Sequence, residues 1–161
     1  MASQRDRLAN LWLRCTRLPA GRRIFSILFG RFVPYSGSIG AVVQDLAPGY
    51  CRLTVGDRRV LRNHLQSIHA VALVNAGEMT SGLAMTMALP PEIRGIVTSI
   101  GADYPKKARG QLTATARATV PPVGDLPVDH RVEAIITDHA GDVVCRVFTV
   151  WRLARTNPRP P

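Results

Sequence analysis

The residues with the clearest chemical potential lie in one segment, residues 63–78, which combines an amide, two imidazoles and a carboxylate. Asn63 and His69 precede a stretch that is apolar except for Glu78 and one amide. An unpaired carboxylate in such surroundings is disfavoured, because moving a charge out of water is costly. Poor solvation also makes a carboxylate a stronger base or nucleophile. Glu78 is therefore the first candidate for a catalytic group.

The element that must position this carboxylate is a helix, predicted over residues 69–87. Small residues recur along it, and Pro90 and Pro91 end the helical pattern. Gly77 and Gly82 each cost about 1 kcal/mol of helix propensity, so tertiary contacts must offset them. The composition therefore predicts tight packing against a sheet or a second helix.

Helix geometry separates His69 from Glu78. Nine residues make two and a half turns, so the two side chains project from opposite faces, about 13 Å apart along the axis. They can share a site only if one comes from a second copy of the chain, across a two-fold interface. Asn75 lies on nearly the same face as Glu78 and could orient it. The helix N-terminus supplies free N–H groups suited to polarising a carbonyl.

The run Asn63, His69, Ala70 and Glu78 resembles the hotdog-fold thioesterases of the phenylacetate-degradation type. In that family an asparagine stands six positions before a His-Gly-Gly motif, and an Asp or Glu follows nine positions after the His. Both spacings match. Where the family has Gly-Gly, this chain has Ala70-Val71, which narrows the approach to the backbone N–H.

A second segment, Tyr104-Pro-Lys-Lys-Ala-Arg-Gly110, is similar to the hotdog subfamily described as the domain of unknown function DUF4442. The resemblance covers about residues 37–153. It implies an α+β hotdog fold, in which a long central helix is wrapped by a mostly antiparallel sheet of about six strands.

The resemblance also implies an activity, the hydrolysis of an acyl-CoA-type or acyl-carrier-protein thioester by a homodimer or a dimer of dimers. Glu78 would serve as nucleophile or as general base on water. The backbone N–H of Ala70 would hold the thioester oxygen, and Asn63 and His69 would act from the opposing subunit. Neither a metal nor another cofactor is implied.

Further substrate contacts are predicted beyond the helix. Thr98 and Ser99 are candidates for a hydroxyl that the family often carries on the following strand. Lys106, Lys107 and Arg109 cluster on a turn at the expected mouth of the site, where they could bind the phosphates of coenzyme A. A solvated turn is the alternative for these cations.

Two other functions stay open. A non-catalytic acyl-CoA-binding or lipid-binding hotdog module is favoured by Ala70-Val71. A hotdog enoyl-thioester hydratase would use His64, which stands fourteen residues before Glu78, as in hydratases of this fold. The Phe-Pro and further prolines that surround the histidine in those enzymes are missing here.

The predicted domain organisation has three parts: an N-terminal helical extension (1–36), the hotdog domain (37–153) and a disordered tail (154–161). Within the extension, Pro19-Ala-Gly21 divides two amphipathic helices, for which packing on the core is preferred over contact with a membrane. Their apolar faces could cap the tunnel for an acyl chain. Residues 34–37 are expected to lead into the sheet. The predicted strands are 39–46, 50–55, 95–104, 111–120, 132–137 and 143–153.

Composition limits the remaining function classes. The 161 residues suffice for one domain, and the apolar runs are shorter than the roughly 20 residues that span a bilayer. The net charge of +10 is compatible with a solvated basic surface, an anionic ligand or a membrane surface. Nucleic-acid binding is not expected, because aromatic residues are few and do not interleave with the cations. Three widely spaced cysteines and no recognisable secretory signal predict a reduced, cytoplasmic protein.

Overall fold

The computed structural model describes residues 3–156 of the chain and contains helices on one long antiparallel sheet. The helices are α1 Gln4–Thr16, α2 Gly21–Phe32, α3 Pro34–Gly37 and α4 Ala70–Ala88, with a single 3₁₀ turn at Arg59–Leu61. The strands are β1 Val42–Ala47, β2 Tyr50–Val55, β3 Ile93–Asp103, β4 Leu112–Arg117, β5 Val128–Thr137 and β6 Val143–Arg155.

The six strands form one sheet in the order β1-β2-β4-β5-β6-β3, and every neighbouring pair is antiparallel. Helix α4 packs on this sheet and buries most of its length. The α+β architecture of a long central helix on about six antiparallel strands, predicted from the sequence, is confirmed. Residues 34–37, expected to lead into a strand, instead form α3, because Pro34 at the first helical position is compatible with a helix start.

The close packing of α4 is concentrated at Gly77. A methyl group there would overlap the side chain of Val147, a fully buried residue of β6. Gly82, five residues further along the helix, is different. An added methyl there would lie 3.8 Å from the Glu78 Oε1 atom and 3.8 Å from the Trp151 ring, which is ordinary van der Waals contact. The tight packing inferred from the glycines is thus confirmed for Gly77.

The two N-terminal helices pack against α4 and against β1, the strand at one edge of the sheet. Helix α1 contacts α2 and α4, and α2 contacts β1. The Val43 N–H group on β1 donates to the Ser26 hydroxyl of α2 at 2.9 Å. The rings of Trp12 and Phe25 pack edge to face, with their centroids 4.9 Å apart. The predicted packing of these helices on the core is confirmed for their inward side chains. None of the helices described is long and apolar enough to cross a membrane.

The remaining boundaries differ little from expectation. Strand β6 continues to Arg155, so the predicted tail (154–161) begins within a strand, and residues 157–161 lie outside the described residues. All three cysteines are buried and free, and burial raises the pKa of Cys51 to about 12.

The two helical glycines give opposite expectations for stability. Gly77→Ala should destabilise the fold by about 1–3 kcal/mol, because the methyl overlaps Val147. Gly82→Ala should stabilise it by up to about 1 kcal/mol through helix propensity alone. Urea denaturation of both variants measures the difference, and equal effects would contradict this account of α4.

Candidate active site

Glu78 lies half-buried on α4, in the wall of a cavity of about 480 Å³. The cavity is partly open and is lined by residues of all four helices, together with Val33 and Trp151. Most of its lining is apolar, and its apolar members include Leu8, Leu11, Phe29, Phe32, Val33, Met79 and Leu83. Such a volume falls within the roughly 300–1,000 Å³ typical of small-molecule sites.

The Glu78 carboxylate has no charged partner among the residues described. No ion pair of the structure includes it, although Arg7 of α1 lines the same cavity. Burial alone raises the pKa of this carboxyl above its ordinary value. A poorly solvated, unpaired carboxylate is the arrangement expected of a general base or a nucleophile.

A buried hydrogen-bond chain fixes the wall beside Glu78. The Trp151 indole N–H donates to the Thr149 hydroxyl at 3.1 Å, and that hydroxyl lies 3.1 Å from the Ser81 hydroxyl of α4. Ser81 in turn donates to the Glu78 backbone carbonyl at 3.0 Å. The chain connects β6 to α4 and holds the indole ring of Trp151 in place.

His69 and Asn63 both belong to the N-terminal region of α4, His69 as its cap and Asn63 in the loop before it. His69 is the N-cap residue, and its Nδ1 atom accepts the Val71 N–H at 3.2 Å. The Asn63 Oδ1 atom accepts the N–H groups of Leu65 and Ser67, at 2.9 and 3.2 Å, and so closes the loop that leads into the helix. Both residues therefore shape the helix N-terminus.

Ala70 opens α4 and is exposed, as is Val71 after it. The first N–H groups of a helix have no acceptor within it. The Ala70 carbonyl accepts the Tyr104 hydroxyl at 3.4 Å, which places the end of β3 beside the helix N-terminus. An anionic oxygen could therefore reach this N-terminus from outside the chain.

Asn75 is engaged elsewhere than at Glu78. Its Nδ2 group donates to the Tyr35 carbonyl at 3.0 Å and ties α4 to α3. Its Oδ1 atom is buried without a hydrogen-bond partner among the described residues. No hydrogen bond joins Asn75 to Glu78 in the described residues, so the orienting role predicted for it has no contact to support it within one chain.

The predicted hydroxyl residues are on an open strand. Strand β3 pairs only with β6 and is one edge of the sheet. Thr98 sits at a register shift between Val97 and Ser99, and its hydroxyl donates to the Val150 carbonyl at 3.3 Å. Thr98 and Ser99 are both exposed.

The three predicted phosphate ligands differ in their contacts. The Lys106 ammonium group is 2.6 Å from carboxylates of both Asp138 and Asp142, which raise its pKa. Arg109 donates to the Leu65 carbonyl at 3.4 Å, beside the loop before α4. Lys107 is exposed and has no ion pair within the described residues.

The structure thus assembles two separate groups of predicted residues. Asn63, His69, Ala70 and Arg109 lie in or beside the loop that leads into α4 and the first residue of that helix, whereas Glu78 lies in the wall of a cavity at the middle of the helix. The apolar faces of the two N-terminal helices indicated that these helices could cap an acyl tunnel. The position of the cavity beside Glu78 and the contribution of Trp151 to its wall were not predicted, because helical spacing shows that a face is buried but not what it packs against.

The family model of the domain of unknown function DUF4442 matches residues 21–153. This chain belongs to the DUF4442 family. The DUF4442 match starts at α2 and so includes the second N-terminal helix as well as the sheet and α4. No curated protein matches the chain significantly.

Solved structures share the fold of this DUF4442 protein. The structural-genomics protein APC5556 is 25% identical, with a TM-score of 0.80 over 92% of this chain and 99% of that one. PA5026 of Pseudomonas aeruginosa, a protein of unknown function described as a probable thioesterase, is 22% identical, with a TM-score of 0.72 over 86% and 97%. The thioesterase SAV0944 of Staphylococcus aureus is 13% identical, with a TM-score of 0.64 over 75% and 98%. The hotdog fold inferred from the sequence is confirmed.

The environment of Glu78 has a consequence for stability. Because the folded state raises the pKa of this carboxyl, folding favours its protonated form. Stability contributed by that group is present below its ordinary pKa of 4.5 and is lost as the pH rises through the folded-state value. Glu78→Gln should therefore melt at a higher temperature than the parent at pH 7, and the difference should shrink below pH 4.5.

Thermal denaturation of both proteins across this pH range measures the effect. Glu92→Gln, at an exposed glutamate just before β3, is the matched control and should leave the melting temperature unchanged. A Glu78→Gln variant that melts lower than the parent at pH 7 would show that the carboxylate has a stabilising partner.

Proposed function

We propose that this protein hydrolyses acyl-CoA-type thioesters, with Glu78 as nucleophile or as general base on water. The observation that carries the proposal is the half-buried Glu78 carboxylate, unpaired within the described residues, in the wall of an apolar cavity. The fold shared with proteins described as thioesterases supports thioester hydrolysis in general. The Glu78 carboxylate is the group that would carry out this hydrolysis.

The cavity beside Glu78 suits the acyl part of such a substrate. Its lining is mainly apolar, so burying a hydrocarbon chain there would be favourable by about 25 cal/mol per Å² of apolar surface. With the chain in the cavity, the thioester carbonyl would lie near the carboxylate. The N-terminal helices α1 and α2 would then limit the chain length that fits.

The donors that would stabilise the oxyanion come, in this proposal, from a second copy of the chain. His69 at the start of α4 and Glu78 are about 13 Å apart along the helix and project from opposite faces, so one chain cannot place both on one carbonyl. The backbone N–H of Ala70 would hold the thioester oxygen, and Asn63 and His69 would position the thioester, all from the partner. Asn75 would then act only as support for α4.

The open edge at β3 supports such a pairing. This strand is eleven residues long and lies at the end of the sheet, and Ile96 on it is 67% exposed. Val71, at the adjacent helix start, is 54% exposed. A long exposed edge with apolar side chains is a surface that natural proteins cover. A partner across this edge would also enclose Thr98 and Ser99.

Coenzyme A phosphates would contact the cations that remain available near the helix start. Lys107 and Arg109 suit this role, because Arg109 lies beside the loop before α4. Lys106 forms ion pairs with two carboxylates, so its charge is already balanced. We assign it a structural role in the turn before β4 rather than a role in phosphate binding.

A non-catalytic acyl-CoA-binding module is the second candidate. Ala70-Val71 favours it, because a methyl and an exposed isopropyl group crowd the N–H that would bind the oxyanion. Such a module would retain the cavity and bind thioesters without turnover. A hydratase using His64 has no further support, since His64 lies exposed in the loop before α4.

Activity on a panel of acyl-CoA substrates tests the proposal. Free coenzyme A should be released from at least one short, medium or aryl acyl-CoA. Glu78→Gln should lower kcat by about 100-fold or more, as expected on removing a nucleophile or general base. Glu92→Gln is the matched control and should retain parental activity.

The outcomes separate the candidates. Turnover that survives unchanged in Glu78→Gln would contradict the assigned role. Calorimetric binding of an acyl-CoA with no turnover would establish the binding module instead, and water addition to an enoyl thioester would establish the hydratase.

Cavity size gives a further expectation. Leu11→Trp should fill part of the cavity and lower kcat/KM for long acyl chains about tenfold relative to short ones. Leu13→Trp is the matched control, because Leu13 lies on α1 with its side chain 55% exposed and lines no part of the cavity. Equal chain-length profiles for all three proteins would place the acyl chain elsewhere.

A further inference from the structure

Helix α2 carries apolar side chains on two faces. Phe25 and Phe29 pack inward on the core. Ile27, Leu28 and Phe32 face outward and are 62%, 43% and 82% exposed. Large apolar side chains exposed together on one helix face are typical of a surface that binds a partner or a membrane.

The outward residues lie on one side of the helix. Ile27, Leu28, Arg31 and Phe32 follow the spacing i, i+1, i+4, i+5, whereas Ile24 is half-buried against the core. We call Ile27, Leu28, Arg31 and Phe32 the α2 outer face.

The charge around this face is of one sign. Residues 7–44, counted from Arg7 itself, contain six arginines and neither an aspartate nor a glutamate. Within the described residues Arg22 pairs with Asp45 at 3.7 Å, whereas Arg23 and Arg31 form no ion pair. The apolar stripe is therefore flanked by cations whose charge is not balanced locally.

We infer that the α2 outer face docks on an anionic phospholipid bilayer as a peripheral surface. Exposed apolar side chains flanked by arginines are the composition of helices that lie in the plane of a membrane interface. Each cation near an anionic surface adds about 1 kcal/mol of attraction. A two-fold contact between two α2 outer faces is disfavoured, because it would bring arginines together with no carboxylate between them.

Phe32 connects this surface to the Glu78 cavity. It belongs to the α2 outer face and also lines the cavity. A bilayer on the face would therefore lie beside the cavity mouth. The docking itself rests on exposure and charge alone and is independent of any thioesterase activity.

Vesicle sedimentation tests the docking surface. The full chain should bind vesicles of phosphatidylcholine and phosphatidylglycerol, and bind vesicles of phosphatidylcholine alone much more weakly. The double variant Ile27→Gln with Leu28→Gln should bind the anionic vesicles about tenfold less tightly. Val60→Gln with Leu126→Gln is the matched control, since these side chains are 77% and 80% exposed elsewhere in the chain, and its binding should be unchanged.

Three results would overturn the inference. One is no binding of the parent to anionic vesicles. Another is binding that the Ile27 and Leu28 variant leaves unaltered, which would mean attraction by charge alone. The third is a lipid-free oligomer, measured by light scattering, that dissociates in that variant, which would mean that a second copy covers the face.

Discussion

The structure depends on how closely α4 packs against the sheet. The absence of a side chain at Gly77 lets the helix backbone approach Val147, and this contact sets the distance between α4 and β6. With the helix so deeply enclosed, its polar groups can reach a ligand at only a few places. Two such places are the exposed N-terminus at Ala70 and the cavity at Glu78. The proposed oxyanion site at Ala70 and the proposed catalytic carboxylate at Glu78 are therefore the parts of α4 that a ligand can reach.

The environment of Glu78 disfavours the ionised carboxylate in the folded state, which costs stability but suits a catalytic group. The carboxylate is removed from water without a charged partner in the described residues, so its ionised form is disfavoured and its pKa is raised. The buried chain from Trp151 through Thr149 to Ser81 joins β6 to α4 beside this carboxylate. A poorly solvated carboxylate in a mainly apolar wall is the pattern expected where function rather than packing selects a residue.

Much of the fold could be predicted from the sequence, because local patterns determine it. Alternation in the region of β4, the turn at Pro48-Gly49 and the prolines after α4 locate the elements within a few residues. The position of Glu78 in an apolar helix also identified it as a candidate. The cavity could not be predicted, because the contact between α1 and α4 is long-range and the spacing on α1 says only that one face is buried. The ion pairs of Lys106 with Asp138 and Asp142 could not be predicted either, because they also join residues that are distant in the sequence.

The central claim is that Glu78 of one chain acts with His69 and Ala70 of another. Co-expression of Glu78→Gln with His69→Ala tests it most directly, and each variant is expected to be inactive when expressed alone. In a mixed dimer one site contains two altered residues and the other contains none. Random pairing should therefore restore about a quarter of the parental thioesterase activity. A mixture that stays as inactive as either variant alone would contradict the shared site.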